Sequence, residues 1–207
     1  MLRKLLKQTL RATYPYQHFL IRSRAEFPFL LNALKLTGIG AEIGVKHGTY
    51  SQYLLTHWRG QKLFSIDPYF ESAVEVEADG RVVTQISHDA CYARAREKLA
   101  PFGARSTLLR EASPQAAEHF RDGALDFCYI DALHQYEPVL LDMEAWFPKV
   151  KRGGILAGHD YINGEWRGVR YGVKTAVDEF CRANNVRAVI SHETDTPSWF
   201  IFKPRAG

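Results

Sequence analysis

From residue 39 onward, short apolar runs alternate with helical patterns, and this rhythm leaves the chain few ways to fold. Strands are read at 39–45, 62–67, 106–111, 125–131, 154–160, 187–192 and 198–203. Helical segments 49–58, 89–102, 113–120, 136–150 and 172–185 separate the first six of them. In two helices the apolar period is clear: Val139, Met143, Phe147 and Val150 share one face, as do Val173, Ala176, Val177 and Phe180. Strand, helix, strand repeated in this way gives parallel strands joined by right-handed crossovers, with helices on both faces of the sheet. The ending breaks the rhythm. Only HETDTP separates the last two strands, too short for a crossover helix, so they should pair as an antiparallel hairpin. The expected architecture is α/β: a seven-stranded, mostly parallel sheet with one antiparallel strand, plus an extra N-terminal helix.

A chain of 207 residues that is 46% hydrophobic is sized for one core and one domain. Its net charge of +4 is unevenly spread: residues 1–36 carry +6 and the remainder −2. A slightly acidic body behind a basic leader argues against nucleic acid as a partner, because a nucleic-acid binder places its positive surface on the folded domain. Residues 1–36 are read as a basic helical extension and 37–207 as the main domain. Within the extension, Leu2, Leu5, Leu6 and Leu10 line one helical face. Such a helix can rest on an anionic membrane surface, although covering its own domain or a partner subunit, as in a homodimer, is the commoner use. Cys91, Cys128 and Cys181 lie far apart and cannot all pair within one chain. With no apolar run near the roughly 18 to 20 residues of a membrane span and no cleavable leader pattern, the expected location is cytoplasmic.

In open α/β sheets, ligands bind beyond the carboxyl ends of the strands. The first strand ends in AEIGVKHGTYS, with Glu42, Gly44 and Gly48 ahead of a helix. Glycine there permits a tight turn and close approach of the backbone to a ligand. This is not the dinucleotide fingerprint, since no reading frame completes GxGxxG, which disfavours an NAD-linked oxidoreductase. The second strand ends in SIDPY and places Asp67 23 residues after Gly44, near the spacing at which an acid reaches ribose hydroxyls. Alone, Asp67 reads as a turn acid; beside Glu42 and the glycines it reads as a nucleoside ligand.

EIGVKHGTYS, SIDPY, YIDALHQYE and GGILAGHDY together resemble the class I S-adenosylmethionine-dependent methyltransferases, most closely the group of macrocin-type sugar O-methyltransferases, over residues 39–203. The resemblance implies a Rossmann-like fold and S-adenosylmethionine as cofactor. Gly44 and Gly48 would border its methionine part, Asp67 its ribose, and the segment around Glu111, Ala112 and Ser113 its adenine. Ala112 departs from the pattern, since many relatives carry an Asp there, so Ser113 or a backbone group would substitute. Similar enzymes also hold Mg²⁺, with a base three residues after the first aspartate.

Asp131 and His134 sit at the mouth of the fourth strand, and His159 and Asp160 at that of the fifth. Asp131 and Asp160 are the expected metal ligands, since a hard cation favours carboxylate oxygens, and His134 is the expected base. A cation lowers a hydroxyl pKa, and an imidazole accepts a proton near neutral pH. Other readings stand beside these. Asp131 also suits a helix cap or a contact to the cofactor's methionine amine, His134 an exposed loop, and His159 an orienter of Asp160 or a substrate contact. Glu42, Asn163 and Glu165 are all open as a third ligand, and residues 163–170 read as a loop over the substrate. Arg167, Arg170 and Lys174 either meet an acidic substrate or form a solvated face. Trp58, Trp146 and Trp199 read as core, Trp166 as a loop residue. The expected acceptor is a small hydroxylated molecule. A noncatalytic, membrane-associated module on a degenerate nucleotide fold is the reading from another class.

Overall fold

The computed structural model describes residues 21–70, 75–76, 82–166 and 168–205. The basic helix read at 1–14, Arg167 and the Trp166 side chain lie outside what is described. The main sheet consists of β1 (Ile39–Ile43), β2 (Lys62–Ile66), β3 (Ser106–Leu109), β4 (Leu125–Ile130), β5 (Val150–Gly158), β6 (Ala188–Ile190) and β7 (Trp199–Phe202). Their order across the sheet is β6-β7-β5-β4-β1-β2-β3. All neighbours are parallel except β7, which runs antiparallel to both β5 and β6. This is the seven-stranded, mostly parallel sheet expected from the sequence, including its closing hairpin.

β4 lies at the centre, and all six of its residues are buried. Its one acid, Asp126, is paired with Lys151 and accepts from the Gly38 N–H, which is how an acid survives in such a strand. Side chains alternate between faces, as the pleat requires. Cys128 and Ile130 pack under α5 (Tyr136–Trp146) and α6 (Val173–Ala183). Phe127 and Tyr129 face the opposite side, where α1 (Phe27–Ala33) and α2 (Thr49–His57) cover the sheet. There Phe27 meets Phe127 edge-on at 5.3 Å, and the Trp58 ring stands at 84° to the same Phe127. Gly40 makes this packing possible, because a Cβ at that position would fall 2.2 Å from the Phe127 ring. Trp58, Trp146 and Trp199 are fully buried, as read. Residues 21–36, taken in the sequence as the end of an extension, contribute Ile21, Phe27, Leu30, Leu31 and Leu36 to the buried cluster on this face.

Several elements differ from expectation: α5 stops at Trp146, and Val150, read as the end of that helix, begins β5. α3 runs Gln85–Leu99 and starts earlier than read, because the Thr84 side chain accepts from the Ser87 N–H and caps its first turn. The segment expected as a loop over the substrate contains a hairpin, Gly164–Trp166 paired antiparallel with Val169–Tyr171. Gly168, at φ 78°, supplies the left-handed residue that short hairpin connections need. Among the described residues, no helix is long and apolar enough to cross a membrane.

Candidate active site

The carboxyl ends of β1, β2, β4 and β5 meet along one edge, and the expected polar residues collect there. The N–H of Asp131 donates to the Ile43 carbonyl at 2.7 Å and that of His159 to the Ile130 carbonyl at 3.0 Å. These bonds carry the parallel ladder one residue past each strand and fix the two loops beside each other.

Asp160 stands at the centre. It adopts φ 56°, a left-handed conformation that Asp tolerates better than most residues. Its carboxylate receives His134 Nε2 at 2.9 Å on one oxygen and His159 Nδ1 at 2.8 Å on the other. Burial alone would raise the Asp160 carboxyl, but hydrogen bonds from both imidazoles overcome it and hold the group well below the usual carboxylate range. An ionised carboxylate accepts, so the nitrogen facing it carries hydrogen. His134 then has Nδ1 as its basic atom, and His159 is spent on orienting Asp160. The His134 ring also rests 4.6 Å from that of Tyr171, and its backbone carbonyl accepts from the Gly172 N–H at 2.8 Å. The new hairpin therefore braces the histidine.

Asp131, His134 and Asp160 each bring a ligand atom within 4.8 Å of the others. Two carboxylate oxygens and one imidazole nitrogen are a donor set that suits a divalent cation. Asn163 is not part of it, since its amide is spent on Thr175, donating to the hydroxyl at 2.9 Å and accepting from the N–H at 3.1 Å at the start of α6.

Glu42 ends β1 facing α2, where it is 1% exposed and accepts a hydrogen bond from Ser51. Burial pushes its carboxyl up to about 8 despite that bond, and the charge of Asp131 pushes the same way. Below pH 4.5 the group is protonated both folded and unfolded; between 4.5 and about 8 only the folded state holds the proton. Its contribution to stability is therefore full below 4.5 and lost as pH rises toward 8, by on the order of 5 kcal/mol. Urea unfolding of the ligand-free protein should show this decline, and Glu42→Gln should flatten it; an equal decline in the variant would place its origin elsewhere.

Asp67 has a structural task beside the ribose reading. One oxygen accepts from the N–H groups of Val45 and Lys46, both at 2.9 Å, and the other from Tyr69 N–H at 3.0 Å. It thus buckles the Gly44–Gly48 turn to the end of β2, and of its roughly four acceptor directions about one is left for a ribose hydroxyl. Gly44 and Gly48 take φ 85° and 71°, as a turn of this tightness requires. The Ser113 hydroxyl donates to Asp142 at 2.5 Å and accepts from Trp146 Nε1 at 2.9 Å, which leaves it one acceptor lone pair for a further contact. Asp142, buried beneath it, is pushed up to about 6 by burial, against that hydrogen bond.

One site residue has no precursor in the sequence reading. Arg24, on the segment leading into α1, places Nη1 2.9 Å from Asp131 and its guanidinium 5.0 Å from the centre of the Tyr50 ring. Neither motif nor periodicity marks it, and 107 positions separate it from its partner.

Comparison with known proteins bears on family and fold. A family model described as a methyltransferase domain matches residues 41–161. The fold is similar to that of a candidate caffeoyl-CoA O-methyltransferase from Staphylococcus aureus, at TM-score 0.63 and 14% identity, over 96% of this chain and 91% of that one. It is also similar to an O-methyltransferase from Bacillus cereus solved in complex with SAH, at TM-score 0.59 and 16% identity over 98% and 90% of the two chains. A candidate rRNA methylase from Clostridium thermocellum matches at TM-score 0.62 and 13% identity, over 91% and 99%. At these identities the likeness is one of fold. No curated protein matches the sequence.

Proposed function

The chain belongs to the methyltransferase-domain family and is a class I S-adenosylmethionine-dependent methyltransferase, and we propose that it methylates a hydroxyl oxygen on a small, sugar-bearing or otherwise hydroxylated molecule. The observation that carries this reading is the Asp160–His134 pair, 2.9 Å apart, at the mouth of the strands beside the glycine turn. An alcohol is a poor nucleophile until its proton is leaving, and N- or S-methylation has less need of a base held in this way.

The acceptor oxygen attacks the methyl carbon, the carbon–sulfur bond breaks with its electrons going to sulfur, and the hydroxyl proton passes to His134 Nδ1. Asp160 fixes the tautomer that leaves Nδ1 free and stabilises the imidazolium as it forms. His159 holds Asp160 from the other side. Asp131 and Asp160 would hold a divalent cation, with His134 left as the base, and the cation when bound would lower the pKa of an acceptor hydroxyl. Through the glycine turn and Asp67 the protein places the donor against the acceptor, and positioning of this kind contributes up to roughly 7 to 11 kcal/mol in favourable intramolecular cases.

The slightly acidic body of the chain favours such an acceptor over nucleic acid. The test is release of S-adenosylhomocysteine from S-adenosylmethionine in the presence of catechol and glycoside panels, with structured RNA as the competing arm. Activity confined to the hydroxylated small molecules is expected; activity confined to RNA would overturn the acceptor class. Where turnover is found, a chelator should suppress it and Mg²⁺ restore it. Indifference to both would remove the cation and leave the Asp160–His134 pair as the whole of the base.

A further inference from the structure

We infer that Arg24 is a cofactor-binding residue, receiving the carboxylate of the cofactor's methionyl group while Asp131 receives its ammonium. The inference rests on the cofactor assignment above and goes beyond it, since Arg24 lies outside the residues 41–161 matched by the family.

The methionyl end carries an ammonium and a carboxylate on one carbon, so a protein that binds it needs an anion and a cation a few ångströms apart. Here that pair already exists. Arg24 Nη1 lies 2.9 Å from Asp131, at the mouth of β4, and neither side chain is sealed, with 37% and 22% exposed respectively. Glu42 lies one strand over, where Glu42 and Tyr129 are register partners; it is 1% exposed and holds its proton up to about pH 8, which leaves the anionic role to Asp131. The guanidinium rests on Tyr50, two residues past the Gly48 that ends the cofactor turn.

Arg24 is held by its backbone rather than by its tip. Its carbonyl accepts from the Tyr50 hydroxyl at 3.0 Å, and its N–H donates to Glu193 at 3.3 Å. The side chain can therefore turn while its root stays fixed. Without cofactor, the guanidinium neutralises Asp131. When cofactor enters, its ammonium takes over at Asp131 and the guanidinium turns to the carboxylate, so that each charge keeps a partner throughout. Planar, multiply donating guanidinium suits a carboxylate better than a lysine ammonium does.

The test compares S-adenosylmethionine with decarboxylated S-adenosylmethionine by calorimetric titration. The wild type should prefer the carboxylate-bearing ligand by about 10- to 100-fold, the size of one charge-assisted pair. Arg24→Ala should lose that preference while binding the decarboxylated ligand at least as well as the wild type does, and Arg24→Lys should regain part of it. A purely structural arginine gives a different result, equal weakening of both ligands in Arg24→Ala, and that would overturn the assignment. So would an undiminished preference in the variant, or no preference in the wild type, a measurement that requires no substitution. If the wild type binds neither ligand, the cofactor assignment fails first and takes this proposal with it.

Discussion

His134→Ala is expected to lower kcat by about 10²- to 10⁴-fold, the range for loss of a positioned general base, with the affinity for S-adenosylhomocysteine unchanged. The asymmetry follows from position. His134 is tied through Nε2 to Asp160 and through its backbone to Gly172, whereas the cofactor turn is organised by Asp67 and the glycines. His134→Gln sharpens the test, because its amide can still donate to Asp160 yet offers no basic nitrogen. It should lose as much turnover as the alanine variant. Turnover retained by His134→Gln would show that the ring serves only to hold Asp160.

Gly44→Ala should be the most damaging single change to folding in this region, costing more than about 4 kcal/mol, in the range reserved for severe steric or strain defects. Two independent demands coincide at this residue. Its φ of 85° is one that L side chains rarely adopt, and an added Cβ would lie 2.0 Å from the Asp131 carbonyl oxygen and 2.7 Å from the Ala132 Cα. Those are backbone atoms, so no rotamer change relieves the clash; the ends of β1 and β4, both central in the sheet, must separate. Gly164→Ala is the control, since φ there is 94° but nothing lies within 4 Å of the added Cβ. Only the strain of about 1 to 2 kcal/mol should appear. Urea unfolding of the two variants checks this, and equal midpoints would contradict the close approach at Gly44.

What the sequence made legible was everything that repeats or sits at a strand end. The order of strands and helices follows from periodicity, and the closing hairpin from the shortness of HETDTP. Asp131, His134, His159 and Asp160 converge because β4 and β5 are parallel neighbours, a consequence of topology alone. What escaped depends on contacts between distant parts of the chain. Arg24 sits on a segment with no pattern, and only docking of α1 onto Phe127, Tyr129 and Phe200 brings it to Asp131. The double duty of Asp67 was hidden because a turn acid and a ribose acid look identical in sequence. The bonds of the Ser113 hydroxyl were hidden for a similar reason: its partners Asp142 and Trp146 are on α5, roughly 30 residues away. The hairpin after β5 was within reach, since Gly168 between Trp166 and Val169 is the kind of signal that marks a short turn.

A crystal structure of the protein with S-adenosylhomocysteine bears most directly on whether donor and base meet at this edge. The account predicts the homocysteine portion over the Gly44–Gly48 turn, with its sulfur facing His134 and Asp160 and its ribose beside Asp67. A ligand seated away from the ends of β1, β4 and β5, or with its sulfur turned away from His134, would contradict it.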